Sequence, residues 1–298
     1  MGEHFTGTGL SYPDAVEVDK SYTDRTGLEI SVVVVTYQTQ KTEFERMLSG
    51  LDEQTDEEFE TVIVDNGNDW AVESVVADSP VVDRYVALDR NRGVTVGRNV
   101  GADRTTGDIL VFLDDDAVPD AEFIAAHRRA YDRLDIVAAR GKVLPKTASI
   151  YNNLAIWYDL GDETFPFLLN IEGNTSIDSD AFKRVGGFID LLDGRAGHEG
   201  VELTHRLVES GYDRNQIVYY PDAIIYHDQS TSFWKFVQKK VGNEQSNRLL
   251  KANHVDVHEF AQTYETPNGR SRRLRGLPQV IDLGTDAIVR LVLRIHPT

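Results

Sequence analysis

Ile30 to Thr36 (ISVVVVT) is a run of mostly β-branched apolar residues, and it constrains the fold more than any other feature of the chain. A strand that lacks a polar face must be covered on both sides, which is the situation of an inner strand in a parallel sheet. Such a sheet needs crossover helices, and the chain supplies the pattern for them. Thr42 and Glu45 form a capping box ahead of Phe44, Met47, Leu48 and Leu51 at helical spacing. Further strands are expected at Phe59 to Asp65, Arg84 to Leu88 and Asp108 to Leu113, with helices from Val94 to Arg104 and from Asp120 to Arg133. The alternation predicts an α/β fold, a doubly wound, mostly parallel sheet with helices on both faces. Ligands of such sheets bind outside the carboxyl ends of the strands.

Strands are also expected at Ile136 to Ala139, Leu168 to Ile177, Ile217 to Tyr220 and Ala223 to Tyr226, and helices at Ser179 to Val185 and Glu199 to Ser210. Residues 1–27 are polar and aperiodic and read as a loose arm, 28–230 as the α/β domain, and 231–298 as a helical extension. The extension contains Arg270, Arg272, Arg273 and Arg275, followed by an amphipathic helix from Pro278 to Ile295. That helix either docks on the domain or lies on an anionic membrane surface beside the arginine cluster.

The 49 acidic residues outnumber the 31 basic ones, giving a net charge of −18. This field excludes free nucleic acid as a partner. Spread over the surface, it fits a chain adapted to molar salt, where screening reaches in to about 3 Å. The 298 residues contain no cysteine, which rules out thiolate metal sites and cysteine nucleophiles. Met1 to Lys20 has no apolar core segment, so no secretory signal is expected and the chain is placed in the cytoplasm.

Several polar clusters sit at predicted strand ends. Asp114, Asp115 and Asp116 follow the apolar strand directly. Alternate side chains of an extended segment point the same way, so Asp114 and Asp116 can share a ligand while Asp115 faces elsewhere. Three adjacent carboxylates repel one another unless a cation neutralises them, and hard oxygen ligands suit Mg2+ or Mn2+ shared with phosphates. A solvated acidic turn is the other reading. Asp65, in Val64-Asp65-Asn66-Gly67, either binds a ribose or forms a turn. Asn91-Arg92-Gly93 and Arg98-Asn99 run into a helix start that can meet a diphosphate.

Taken in order, Val34-Val35-Thr36-Tyr37, Val64-Asp65-Asn66-Gly67, Asn91-Arg92-Gly93, Arg98-Asn99 and Phe112-Leu113-Asp114-Asp115-Asp116 resemble family 2 glycosyltransferases of the GT-A fold. The resemblance covers roughly residues 30–230 and implies a nucleotide-binding half over 28–120 and an acceptor half over 121–230. It implies an inverting transfer from a nucleotide-sugar donor, a UDP-sugar, with Mn2+ or Mg2+ as cofactor. Thr36, Tyr37, Asp65, Asn91, Arg98, Asp114 and Asp115 would then contact the donor, and Asp114, Asp116 and His227 would hold the metal. Gln38 stands where the family often has asparagine.

Gly197-His198-Glu199-Gly200-Val201-Glu202-Leu203 resembles a family motif whose centre normally reads Glu-Asp and supplies the general base. Gly200 replaces the second acid, leaving Glu199 as the first candidate base and Glu202 as the second. With the high-salt composition, the chain is similar to haloarchaeal enzymes that build the dolichol-phosphate-linked glycan of surface-layer glycoproteins. That similarity implies a lipid-linked glycan acceptor at the inner membrane face, and a hexose or hexuronic acid as the sugar moved. Two rivals stay open. A nucleotidyltransferase shares the sheet but usually opens with a glycine-rich loop where this chain reads Tyr37-Gln38-Thr39-Gln40, and Gly200 allows a non-catalytic binding protein.

Overall fold

The computed structural model describes residues 12–155, 157–192, 197–228, 230, 232–264 and 277–295. In chain order the strands are β1 (Val16–Ser21), β2 (Ile30–Thr36), β3 (Phe59–Asp65), β4 (Arg84–Leu88), β5 (Ile109–Asp114), β6 (Val118–Pro119), β7 (Ala138–Leu144), β8 (Phe165–Pro166), β9 (Asn174–Asp178) and β10 (Ile217–Tyr226). The helices are α1 (Lys41–Asp52), α2 (Val72–Val76), α3 (Val94–Asp103), α4 (Phe123–Arg133), α5 (Ser179–Arg184), α6 (Glu199–Glu209), α7 (Phe233–Asn253), α8 (Val255–Gln262) and α9 (Leu277–Ile295).

Among the described residues the strands form one sheet in the order β1, β4, β3, β2, β5, β9, β7, β10, β6, with β8 also on β10. β4, β3, β2 and β5 run parallel, as do β7 and β10, so the expected doubly wound, mostly parallel α/β sheet is present. β2 is covered on both faces, as its composition requires. Val32 and Val34 meet Phe44, Leu48 and Phe123 on one side, while Val33 joins Leu110, Phe112 and Phe182 on the other. The chain winds outward from β2 to β3 and β4, then crosses back to β5 on the other side of β2. The carboxyl ends of β2 and β5 therefore flank the switch point where such sheets open a crevice.

Several expectations need correction. Residues 1–27 are not wholly a loose arm, because β1 pairs antiparallel with β4 and closes that edge of the sheet. The capping box at Thr42 does not form, since α1 begins at Lys41 with Gln40 as its cap and no side-chain cap bond. The strand expected from Leu168 is confined to β9, which lies antiparallel between β5 and β7. Leu168 and Leu169 are buried instead as a connection, with the Leu169 amide donating to Thr204 Oγ1 at 3.1 Å. The two last expected strands are one, β10, with an irregular register against β7 between Tyr219 and Ile224.

α7 packs on α8 and α9, and α8 reaches α6, so the C-terminal helices close against the α6 side of the domain. The arginines at 270, 272, 273 and 275 lie outside the described residues. Among the described residues no helix is long and apolar enough to cross a membrane.

Candidate active site

The extended backbone of β5 ends at Asp114, where the Ala117 amide donates back to the Asp114 carbonyl at 3.1 Å and turns the chain. The alternation expected over Asp114 to Asp116 is therefore broken, and the three carboxylates go to three partners. Asp114 Oδ1 accepts from Arg98 Nη2 at 3.1 Å. Arg98 comes from α3 and stacks on the Phe188 ring, 5.5 Å from its centre. Asp115 Oδ2 accepts from the Tyr37 amide at 3.3 Å, which joins the ends of β5 and β2. Burial lifts the Asp115 carboxyl to about 6 against the pull of the Thr39 and Thr36 hydroxyls, with its acidic neighbours adding to the rise.

Asp116 turns to His227, whose Nε2 lies 3.2 Å from Asp116 Oδ1 at the end of β10. Burial works to raise the Asp116 carboxyl, but His227, Lys146 and Lys239 together hold it below its ordinary value. Lys146 also donates to the Asp116 carbonyl at 2.8 Å. These residues line an open cleft of about 930 Å³ with Thr39, Lys235 and Asp228.

The expected metal set is only partly assembled. Asp116 and His227 come together, whereas Asp114 is taken by Arg98, and among the described residues no group of three His, Asp or Glu side chains is arranged to hold a metal. The chemistry of the pair nevertheless fits a hard or borderline cation whose remaining ligands come from phosphate oxygens and water.

The residues expected around a base and ribose are mostly engaged with the protein. Thr36 is fully buried and its carbonyl accepts from Asn66 and Asn68, whereas Tyr37 is exposed. Asp65 Oδ1 accepts from the Gly67 and Asn68 amides and Asn68 Nδ2, and Oδ2 accepts from the Tyr85 hydroxyl at 3.0 Å. Asp65 is thus the turn former that its neighbours Asn66 and Gly67 allow. Asn91 Oδ1 accepts from Asn66 Nδ2 and the Gly93 amide, locking two loops together. Gln38 sits at φ 55°, a left-handed conformation that asparagine adopts more readily than glutamine.

Glu199 and Glu202 open α6 and are both buried, at 5% exposure each. Glu202 does not face the cleft as a free acid. It pairs with Arg206 through two contacts of 2.5 and 2.6 Å, and Arg206 in turn holds the Val185 and Gly187 carbonyls. Its place as second candidate base is therefore corrected to a clamp between α6 and the turn after α5.

Glu199 Oε2 accepts from the Gly197 amide at 2.7 Å. Burial and the nearby Glu172 carboxylate raise its pKa to about 7, while its own and Gly197's amides and Arg98 pull it back. Glu172 is the neighbour of Glu199 that sequence reading missed. It lies in an irregular connection just before β9 and meets α6 only through folding. A β-carbon at Gly200 would lie 1.7 Å from the Leu169 carbonyl oxygen, so no side chain fits where the motif's second acid is expected.

The family pattern described as "Glycosyl transferase family 2" matches residues 31–187. The chain is 30% identical over 244 residues to the glucosyl-dolichyl phosphate glucuronosyltransferase of Haloferax volcanii, covering 72% of this chain and 77% of that protein. In fold it is similar to the mannosyltransferase PcManGT of Pyrobaculum calidifontis in complex with GDP-Man and Mn2+. The TM-score is 0.57 and the identity 18%, over 90% of this chain and 75% of that one. A second solved structure, S. aureus TarS in complex with UDP-GlcNAc, gives a TM-score of 0.54 at 16% identity, over 88% of this chain and 80% of that one.

Proposed function

The chain belongs to glycosyl transferase family 2, and on that premise we propose that it transfers a hexuronic acid or hexose from a UDP-sugar to a dolichol-phosphate-linked sugar, with inversion. The observation that carries the reading is Glu199, a buried carboxylate at a helix start whose pKa of about 7 suits a general base at neutral pH. The named activity of the Haloferax relative favours glucuronic acid as the sugar and a glucosyl-dolichyl phosphate as the acceptor.

In this reading the donor lies across the carboxyl ends of β2 and β5, with its diphosphate toward Asp116, His227 and Lys146. Glu199 takes the proton of the acceptor hydroxyl as that oxygen attacks the anomeric carbon from the side opposite the leaving UDP. Lys146 and Lys239 supply positive charge along the cleft that would receive the diphosphate. When bound at Asp116 and His227, Mn2+ or Mg2+ would offset the charge that grows on the departing group. Arg98 ties the donor side to the acceptor side through its bond to Asp114 and its field at Glu199. Asp65, Asn91 and Thr36 shape the walls that a uridine would meet. The two-half division at residue 120 and the assignment of 231–298 as an extension belong to the same proposal.

The extension supports a place on the inner face of the membrane. α9 turns Thr285, Val289 and Leu293 inward, and Asp282 and Asp286 both bind Lys240 of α7, so the helix does dock. Its outer stripe keeps Val280, Leu283 and Leu291 exposed beside Arg290 and Arg294, the arrangement of an interfacial helix on anionic lipid.

The testing experiment incubates the chain in molar KCl with Mn2+, UDP-glucuronic acid and glucosyl-phosphodolichol. A new lipid-linked disaccharide is the expected product. Formation of a sugar nucleotide from sugar phosphate and UTP would favour the nucleotidyltransferase instead, and UDP binding without any turnover would favour a non-catalytic protein.

A further inference from the structure

The start of α6 gathers more negative charge than its role as a helix end requires. Glu199 curls back to the Gly197 amide, and Glu172 reaches in from the connection before β9 to accept the Gly200 amide at 2.7 Å. The two carboxylates thus occupy the same helix terminus, where unpaired amides and the helix field favour anions. Gly200 makes this possible. Its missing side chain leaves room for the Leu169 carbonyl and for Glu172 Oε1, which a β-carbon would approach to 2.9 Å.

Glu172 also faces space that Glu199 does not. A cleft of about 640 Å³ opens between the sheet domain and the C-terminal helices, and Glu172, Gly197 and His198 line it. Asn170, Asn243 and Asn247 line it together with the Trp157 and Tyr264 rings. Amides for hydroxyl groups and rings for the apolar faces of a pyranose are the chemistry that receives a sugar.

We infer that the base for the transfer is a carboxylate pair and not Glu199 alone. Glu172 lines the acceptor cleft and accepts the hydrogen bond of the attacking sugar hydroxyl. The hydroxyl's proton passes to the pair, its oxygen bonds to the anomeric carbon, and UDP leaves with the electrons of the broken bond. Both acids accept amides at the start of the same helix, and the Glu172 charge helps burial to raise Glu199, so Glu199 takes up a proton more readily beside Glu172 than it would without it. The other charged groups around Glu199 are Arg98 from α3, His198 beside it, His258 from α8, and Glu202 already paired with Arg206. Glu244 and Asp286 also line the cleft, but Asp286 is held by Lys240 and Glu244 by Arg248, all on the C-terminal helices. The inference rests on the acceptor-transfer reading given above, and it can fail separately from it.

The test follows the carboxyl carbons of 13C-glutamate-labelled full-length chain by NMR through a pH titration, for the unsubstituted protein and for Glu172→Gln. The glutamine keeps an oxygen for the Gly200 amide but removes the charge. The Glu199 midpoint is expected to move to lower pH, and Glu172→Asp, which retains the charge, is expected to bring it back up. With UDP-glucuronic acid and glucosyl-phosphodolichol as probes, Glu172→Gln should lower kcat at least tenfold and leave KM for the UDP-sugar unchanged. An unmoved Glu199 midpoint, or full kcat in Glu172→Gln, would overturn the pair. A coupled titration in a chain that transfers nothing to that lipid would instead overturn the choice of acceptor while leaving the pair in place.

Discussion

Gly173 and Asp114 are in such close approach that a β-carbon built on Gly173 would lie 1.9 Å from Asp114 Cγ. The last carboxylate of β5 is therefore seated on bare backbone, and its orientation toward Arg98 depends on that seat.

Substitution Gly173→Ala is expected to displace the Asp114 carboxylate and break the Arg98 bond. UDP binding in the presence of Mn2+ should weaken at least tenfold, about 1.4 kcal/mol. Isothermal titration reads this directly, and unchanged affinity would remove Asp114 from the donor site.

Glu199→Gln should leave UDP affinity intact and lower transfer by about 10²- to 10⁴-fold, the usual contribution of a general base. Because the Glu199 pKa is raised to about 7, the unsubstituted enzyme should lose activity as pH falls through 7, where the carboxylate becomes protonated. An acid limb that stays near pH 4 would show that a different group takes the proton.

Gly200→Ala tests whether the motif departure is structural. The obstructing atom is a backbone carbonyl that cannot rotate away, so the cost should reach about 3 kcal/mol or more, the upper end for overpacking. Chemical denaturation measures it, and an alanine variant of native stability would mean the start of α6 yields easily.

His127 gives a pH effect on stability that is separate from catalysis. It is fully buried with Nδ1 2.9 Å from Ser176 Oγ, and burial lowers its pKa from 6.5 to about 4. The unfolded chain therefore binds a proton there between those two values while the folded chain does not. Stability from this group is present above pH 6.5 and is lost as pH falls toward 4, by at most on the order of 3 kcal/mol. The stability advantage of the unsubstituted chain over His127→Gln should shrink across that window, and a constant difference would contradict it.

The double substitution Leu283→Glu with Leu291→Glu places two charges on the outer stripe of α9, where both residues are more than half exposed. Folding should be little affected, while co-sedimentation with vesicles of anionic lipid should fall sharply. Equal sedimentation of both forms would argue against that face as the lipid contact.

The strands around the switch point were legible because their composition is a direct record of burial. β2 and β3 have the bounds read for them, Ile30–Thr36 and Phe59–Asp65, and Asp65 and Asp114 to Asp116 lie at strand ends as read. β1 was illegible because only Val16 and Val18 of its residues are apolar and half-buried, too short an alternation to mark a strand before the edge of β4 pairs with it. The metal grouping failed at Asp114 for a local reason. The turn closed by Ala117 ends the alternation on which the grouping depended, and Arg98, sixteen residues away, takes the carboxylate.

The sequence by itself determined the layered sheet, the crevice at its strand ends and the family motifs, because these follow from hydrophobic periodicity and short-range order along the chain. Only the tertiary structure decided which acids act together. Glu202 is drawn to Arg206, Asp116 to His227, and Glu172 to the amide that Gly200 exposes. Charge and hydrogen-bond pairing act over a few ångströms in space, and the chain distance between Glu172 and Gly200 gives no sign of their contact.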